Sequence, residues 1–254
     1  MSWDGLEREI DTWAAAGRVA TAWWRDDDAV SATPALDRLL RLTASARIPL
    51  ALAVIPALAE ESLAAAIRDR TNVTALQHGY AHVNHAGSGM RAVECGGERP
   101  LEQVAAELSI GRDRLSQMFG AQFFPVLVPP WNRIDPALLP RLSDLGFRGV
   151  STWDARSIVR TSVRFSQVNT HADPIAWRKG RVFAGTERVT EALTKHLAAR
   201  RIGEVDANEP TGLLTHHLAH DEPGWEFLRE LSERLSARPE LRWLTVGEAF
   251  GRAA

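Results

Sequence analysis

Short apolar runs alternate with helix-patterned segments along almost the whole chain, and this alternation limits what the chain can fold into. Residues 19–24 (VATAWW), 48–55 (IPLALAVI), 73–77 (VTALQ) and 123–128 (FFPVLV) read as strands with no polar face. Strands of that kind belong in a parallel sheet covered on both sides. Residues 148–152, 165–169, 213–215 and 241–246 continue the series as shorter strands. Between them lie helical patterns. Thr33-Pro34 supplies an N-cap and first-turn proline for a helix to about Arg47, and an alanine-rich helix runs to about Asp69. Leu101, Val104, Ala105, Leu108, Leu115 and Met118 recur at three- and four-residue steps before Gly120. Asp135-Pro136 opens a helix expected to reach Gly146, and further helices fit residues 186–201 and 222–237. Seven or eight β/α units in 254 residues, with no repeat or linker dividing them, predict one α/β domain over residues 1–254: a distorted (β/α)7 TIM-like barrel.

Composition narrows the function classes. Thirty Lys+Arg against 32 Asp+Glu leave a net charge of −2, without the positive excess that drives nucleic-acid binding. A single cysteine, Cys95, excludes an internal disulfide and any multi-cysteine metal site. The first residues, MSWDGLEREIDTW, are acidic where a secretion signal is basic, and no run approaches the ~18 apolar residues of a membrane helix. The expectation is a cytoplasmic protein with no membrane or nucleic-acid partner.

Six of the eight histidines fall into two clusters, His78/His82/His85 and His216/His217/His220. Both clusters, the run Asp26-Asp27-Asp28, the Pro129-Pro130-Trp131-Asn132 turn and the isolated His171 follow predicted strands. In a β/α barrel those positions converge on the rim that carries active sites. The four-residue spacing of His78 and His82 suits two imidazoles on one side of a helical turn, both able to reach one ion; the bland reading is two unrelated histidines. Three adjacent carboxylates at a strand end call for a compensating cation, unless they are an exposed turn. One carboxylate with two histidines leaves open coordination positions, a catalytic pattern suited to Zn²⁺ and compatible with Co, Ni, Fe or Mn. His216 is placed across the barrel as a proton donor, with His217 pointing to the other side of its strand. His196 is assigned to a surface helix, and neither His220 nor Cys95 receives a role.

The ordered motifs resemble the polysaccharide deacetylase family, the NodB-homology or family 4 carbohydrate esterases. The matching segments are Asp27-Asp28, His78–His82, Val128-Pro129-Pro130-Trp131-Asn132, Trp153-Asp154 and Leu214-Thr215-His216. The resemblance implies the distorted (β/α)7 barrel and removal of an acetyl group from an N-acetylated carbohydrate, a small-molecule substrate. It further implies a divalent ion on Asp28, His78 and His82, with Asp27 as base and His216 as acid. Pro130, Trp131, Asn132 and Leu214 are the expected substrate contacts, and His171 and Asp173 are contacts outside the family pattern. The aspartate register is open between Asp26-Asp27 and Asp27-Asp28; Arg25-Asp26-Asp27-Asp28-Ala29 favours the second. Val128 replaces the arginine that orients the catalytic aspartate in the family, and Arg25 or Arg133 are the candidates to substitute in space.

Competing readings remain at this level. A hydrolase of another non-peptide C–N bond uses the same residues. A barrel that binds sugar or metal without turnover is suggested by Val128. His171-Ala172-Asp173 with a later histidine matches the order of an iron(II) facial triad, although that motif belongs to jelly-roll sheets.

Overall fold

The computed structural model describes residues 2–156 and 165–251. The chain starts with helix α1 (Ser2–Ala15) and enters β1 (Ala20–Ala29), the longest strand. Then follow α2 (Pro34–Ser45), β2 (Leu50–Val54), α3 (Glu61–Ile67), β3 (Val73–His78), α4 (Leu101–Phe119) and β4 (Phe123–Val128). After two short strands, β5 (Gly149–Val150) and β6 (Ser166–Gln167), comes a small antiparallel hairpin of β7 (Ile175–Ala176) and β8 (Val182–Phe183). The chain ends with α5 (Thr186–Ile202), β9 (Thr211–Thr215), α6 (Glu222–Ser236), β10 (Leu241–Trp243) and α7 (Val246–Ala249).

The main sheet is parallel, in the order β1-β2-β3-β4-β5-β6. The other edge of β1 is divided: Ala20–Ala22 pair with β10, and Ala22–Asp26 pair with β9. The chain beyond β6 closes the ring. Thr170 bridges to Trp153 and Ala172 to Leu213; the His171 N–H donates to the Gly212 carbonyl at 2.8 Å, and the Leu214 N–H to the Ala172 carbonyl at 2.8 Å. Gly212 is needed at this seam, because a Cβ there would lie 2.5 Å from the Asn169 carbonyl oxygen and 2.6 Å from the Trp23 indole nitrogen.

Alternation along the strands sorts two cores. Trp23, Ala51, Ala53, Leu76, Phe124, Val126 and Val128 face the barrel interior. Phe250 closes that interior at one end, its ring edge-on to Trp23 at 5.7 Å. It is placed there by α7, which starts in a capping box of Thr245 and Glu248. Trp24, Leu50, Leu52, Val54, Ala75 and Leu213 face outward and are covered by apolar stripes of the helices, such as Leu36, Leu39 and Leu40 of α2 and Leu228 and Leu231 of α6. Helix α1, not foreseen from the sequence, buries Leu6, Ile10 and Trp13, and the Trp13 indole donates to the Leu197 carbonyl of α5 at 3.2 Å.

The structure corrects several boundaries. β1 runs on through the three aspartates instead of ending before them. Residues 135–146 hold a 3₁₀ segment, Pro136–Arg141, instead of a full helix, because Pro140 cannot donate an amide and crowds the preceding turn. The last strand stops at Trp243, where the capping box takes over. His196 is buried within α5 rather than on a surface helix.

Asp26 lies on the helix-facing side of β1, fully buried. Its Oδ2 accepts from Thr215 Oγ1 at 2.6 Å, and Thr215 in turn accepts from the Trp24 indole at 2.8 Å. Its Oδ1 meets His217 Nδ1 at 2.5 Å. Burial alone lowers the proton affinity of His217, but the Asp26 charge and hydrogen bond outweigh it and raise the imidazole above its ordinary value. Removing one partner of such a buried pair costs about 3–5 kcal/mol, so Asp26→Ala is expected to lose that much in urea unfolding. Because the His217 pKa is raised on folding, its contribution is complete below the unfolded histidine value. It fades as pH rises through the folded one, so wild type should lose part of its advantage over the variant on the alkaline side.

Candidate metal centre and cleft

Asp28 lies in the irregular end of β1, one residue before its last paired position, Ala29. The register with β2 shifts between Asp26 and Ala29, and Asp28 takes φ 69°, which turns its carboxylate away from the regular alternation. His78 is the last residue of β3 and buried. Its Nδ1 bonds the Val128 carbonyl at 2.9 Å, and its Nε2 stands 3.1 Å from Asp28 Oδ1. His82 Nε2 is 3.4 Å from the same oxygen.

The two imidazoles meet through a loop, not on the helical turn expected from their spacing. Gly79 and His82 both have positive φ, 55° and 58°. The buried carboxylate of Glu94 collects the loop amides, accepting from Tyr80 at 3.0 Å and Ala81 at 2.7 Å. A Cβ on Gly79 would stand 1.9 Å from Glu94 Oε2 and 2.6 Å from Pro130 Cδ, so this tight crossing requires glycine.

The donor set fits a divalent ion. With its Nδ1 held by a carbonyl, His78 turns Nε2 to the Asp28 carboxylate, where a ring proton bridges the two and a divalent ion can take that proton's place. A carbonyl on the far ring nitrogen is also the usual support of a metal-bound histidine. The ligand atoms of Asp28, His78 and His82 all lie within 4.8 Å of one another. Burial favours a protonated Asp28, yet the bond to His78 and the charges of His78, His216 and His82 prevail and hold the carboxyl well below its usual range. Burial, followed by the neighbouring His78, lowers His82 and favours its neutral, ligating form.

Beside this set, Asp27 is gripped by Arg25, whose Nε and Nη2 donate to the two carboxylate oxygens at 2.9 and 3.0 Å. Arg25 also donates to Ser151 Oγ at 2.6 Å and to Asn132 Oδ1 at 2.7 Å. Of the two candidates to replace the arginine at the Val128 position, it is therefore Arg25 that reaches Asp27; Arg133 donates instead to the Ala92 carbonyl at 2.7 Å. His216 follows β9 and meets Trp177 edge-on at 4.7 Å. Trp177 is fixed by its indole bond to Asp173 Oδ2 at 2.7 Å, while Asp173 Oδ1 accepts from the Ile175 amide at 2.8 Å.

These groups share one cleft of about 1170 Å³, whose walls include Asp27, Asp28, His78, His82, Trp131 and His216. Asn132, His171, Asp173 and Leu214 line it as well. Pro130 sits behind the wall, against Gly79. Trp131, at φ 55°, packs on His82 with ring centres 4.5 Å apart. Asp26 is withdrawn to the other face of β1, so Asp27 and Asp28 are the pair that faces the cleft. The sequence reading missed the hairpin that carries Trp177, the Glu94 clamp, and several arginines on the walls.

His171, His196 and Glu209 form a second buried cluster. The two rings stack with centres 3.3 Å apart and planes at 17°. Their in-plane lone pairs therefore run side by side, and no single ion can lie in both ring planes. His171 Nδ1 accepts from the Gly212 amide at 2.9 Å, and both Asp173 oxygens are engaged, so His171 and Asp173 do not assemble a facial triad. Burial, then His171 and Arg200, lower His196 to about 2.

No protein-family model and no curated protein matches the sequence. Solved structures do share the fold. A peptidoglycan N-acetylglucosamine deacetylase, solved with a hydroxamate-type benzamide, is 14% identical with a TM-score of 0.58, covering 95% of this chain and 96% of its own. A family 4 carbohydrate esterase from Streptomyces lividans, solved with acetate, is 15% identical at 0.54, covering 93% and 96%. A family 4 acetyl xylan esterase from Clostridium thermocellum, solved with a cobalt ion, is 16% identical at 0.54, covering 91% and 90%. The chain thus has the fold of the polysaccharide deacetylases and family 4 carbohydrate esterases.

Metal content by elemental mass spectrometry tests the centre. Wild type loaded with Zn²⁺ and then dialysed is expected to retain about one ion per chain. His78→Ala should retain much less while keeping its unfolding midpoint. Equal retention in both proteins would remove the centre from Asp28, His78 and His82.

Proposed function

We propose that the protein is a divergent member of the polysaccharide deacetylase family, a metal-dependent hydrolase that removes the acetyl group from an N-acetylated sugar. One observation carries the reading. A carboxylate and two imidazoles converge at a cleft, with an arginine-held aspartate beside them and a histidine on the same cleft. The shared fold supports it, since the similar structures include deacetylases and carbohydrate esterases.

A divalent ion on Asp28, His78 and His82 would supply Lewis acidity and an acidified water. Asp27 takes the water proton as attack proceeds. Both its oxygens are tied to Arg25, but a carboxylate offers about four lone-pair positions, so acceptor capacity remains on the cleft side. Arg25 fixes the direction of that carboxylate, the task that the resemblance gives to an arginine at the Val128 position. His216 gives a proton to the departing nitrogen, its ring held in place by Trp177. Trp131 offers a flat face to a sugar ring, and Leu214 an apolar surface to the acetyl methyl. The same arrangement serves another non-peptide C–N bond, and the substrate decides between them.

A positioned acid or base contributes about 10²–10⁴ in rate, so Asp27→Asn and His216→Ala should each lower kcat by that factor. Acetate release from N-acetylated sugars measures the loss, and an unchanged unfolding midpoint assigns it to chemistry. Near-wild-type turnover in both variants would defeat the proposal.

A further inference from the structure

The walls of the cleft hold a charge distribution that the hydrolytic reading does not use. Arg91, Arg133, Arg178, Arg181 and Arg188 all line it, in a chain whose net charge is −2. They fall into two groups. Arg133 follows the turn that packs on His82, and Arg91 is close enough for its charge to act on Arg133. Arg178 and Arg181 come from the β7–β8 hairpin, and Arg188 from the first turns of α5, one turn before Ala192, which lines the same cleft.

Several surface arginines of this protein find carboxylates: Arg229 bonds Glu226 and Glu233, Arg234 bonds Glu230 and Glu7, and Arg38 bonds Glu222. The side chains of Arg91, Arg178 and Arg188 have no ion pair or hydrogen bond among the described residues. Arg181 has only the face of Trp177, with its guanidinium 6.0 Å from the ring centre. Of the carboxylates on the cleft, Asp27 is satisfied by Arg25, Asp28 belongs to the metal set, and Asp173 is spent on Trp177 and Ile175. The positive charge of the walls is thus left without a carboxylate partner among the described residues.

The hairpin group also has a defined place relative to the chemistry. Arg181 rests on Trp177, and the edge of Trp177 meets His216. An anion held there would lie on the leaving-amine side of the proposed reaction. Planar guanidinium groups bind phosphate oxygens in pairs, and three on one wall suit a group with several exposed oxygens.

We propose that Arg178, Arg181 and Arg188 bind a phosphate-type anion carried by the substrate, so that the enzyme acts on a phosphorylated N-acetylated sugar or its phosphodiester rather than a neutral glycan. This deepens the deacetylase reading and rests on it for the sugar, but the anion site itself can be tested without turnover.

The test is isothermal titration with N-acetylglucosamine 1-phosphate, N-acetylglucosamine and the carboxylate-bearing N-acetylmuramic acid. Wild type and Arg181→Gln/Arg188→Gln are compared, each metal-loaded and after chelation. Charge-assisted bonds of this kind correspond to about tenfold or more in affinity. Wild type should prefer the phosphorylated sugar to both others by that factor in both metal states, with the preference falling as salt is added. The double variant should lose the preference and leave binding of the neutral sugar unchanged. A preference within twofold, a preference kept by the variant, or one present only with metal bound would overturn the proposal. An equal gain for the carboxylate sugar would overturn the choice of phosphate. Acetate release is followed in parallel. A preserved phosphate preference with no acetate from any sugar would defeat the deacetylase reading and leave the anion site standing.

Discussion

A guanidinium with no solvent exposure holds the upper end of this barrel together. Arg25 is 0% exposed, and a cation in such a place is tolerated only when paired and hydrogen-bonded. It is bonded to Asp27 on its own strand, to Ser151 beyond β5 and to Asn132 in the turn after β4. The end of β1 and the segments that follow β4 and β5 are thereby drawn to one point. The turn holding Trp131 and Asn132 has left-handed φ at both residues, and the amide oxygen of Asn132 on Arg25 is one of the contacts that maintains it.

The face of β1 that carries Arg25 changes character along its length. Trp23 belongs to the apolar interior, Arg25 follows, then Asp27 reaches the cleft. The opposite face repeats the change: Trp24 packs under the helices, and Asp26 binds Thr215 and His217. One strand therefore supplies the core at its start and polar networks on both faces at its end. Two adjacent aspartates of identical chemistry take different duties because a strand turns successive side chains to opposite sides. Asp28 escapes the alternation through the register shift that follows Asp26.

Much of this was legible in the sequence, and the parts that were not share a cause. Apolar runs placed β1 to β4 and β9, since a strand covered on both faces must be apolar throughout. The end of β1 was misjudged because hydropathy has no way to count a charged residue as buried, yet Arg25 is buried by pairing with Asp27, and Asp26 by pairing with Thr215 and His217. The spacing of His78 and His82 correctly joined them, but through the wrong geometry, because the positive φ of Gly79 and His82 depends on Glu94, 12 residues after His82. His196 was misplaced because α5 is buried along the side that meets His171 and Thr211, and neither neighbour lies on the helix itself. The segments 148–152 and 165–169, read as short strands, do hold β5 and β6, though these pair through only two residues each.

The distribution of backbone strain gives independent weight to the cleft. Seven non-glycine residues have positive φ among the described residues, and five of them line it: Asp28, His82, Trp131, Asn132 and Arg181. Each such conformation costs on the order of 1–3 kcal/mol when side-chain and backbone geometry are held off their preferred wells, and it survives only where surrounding structure imposes it. Loops free of functional demand would relax to glycine, or to ordinary turns, at the same positions. Here the strained residues include two of the three metal-set side chains, the tryptophan packed on one of them, and the asparagine bound to Arg25. The barrel beneath supplies the rigidity, and the strained rim spends part of it to aim side chains that regular strand ends would point elsewhere.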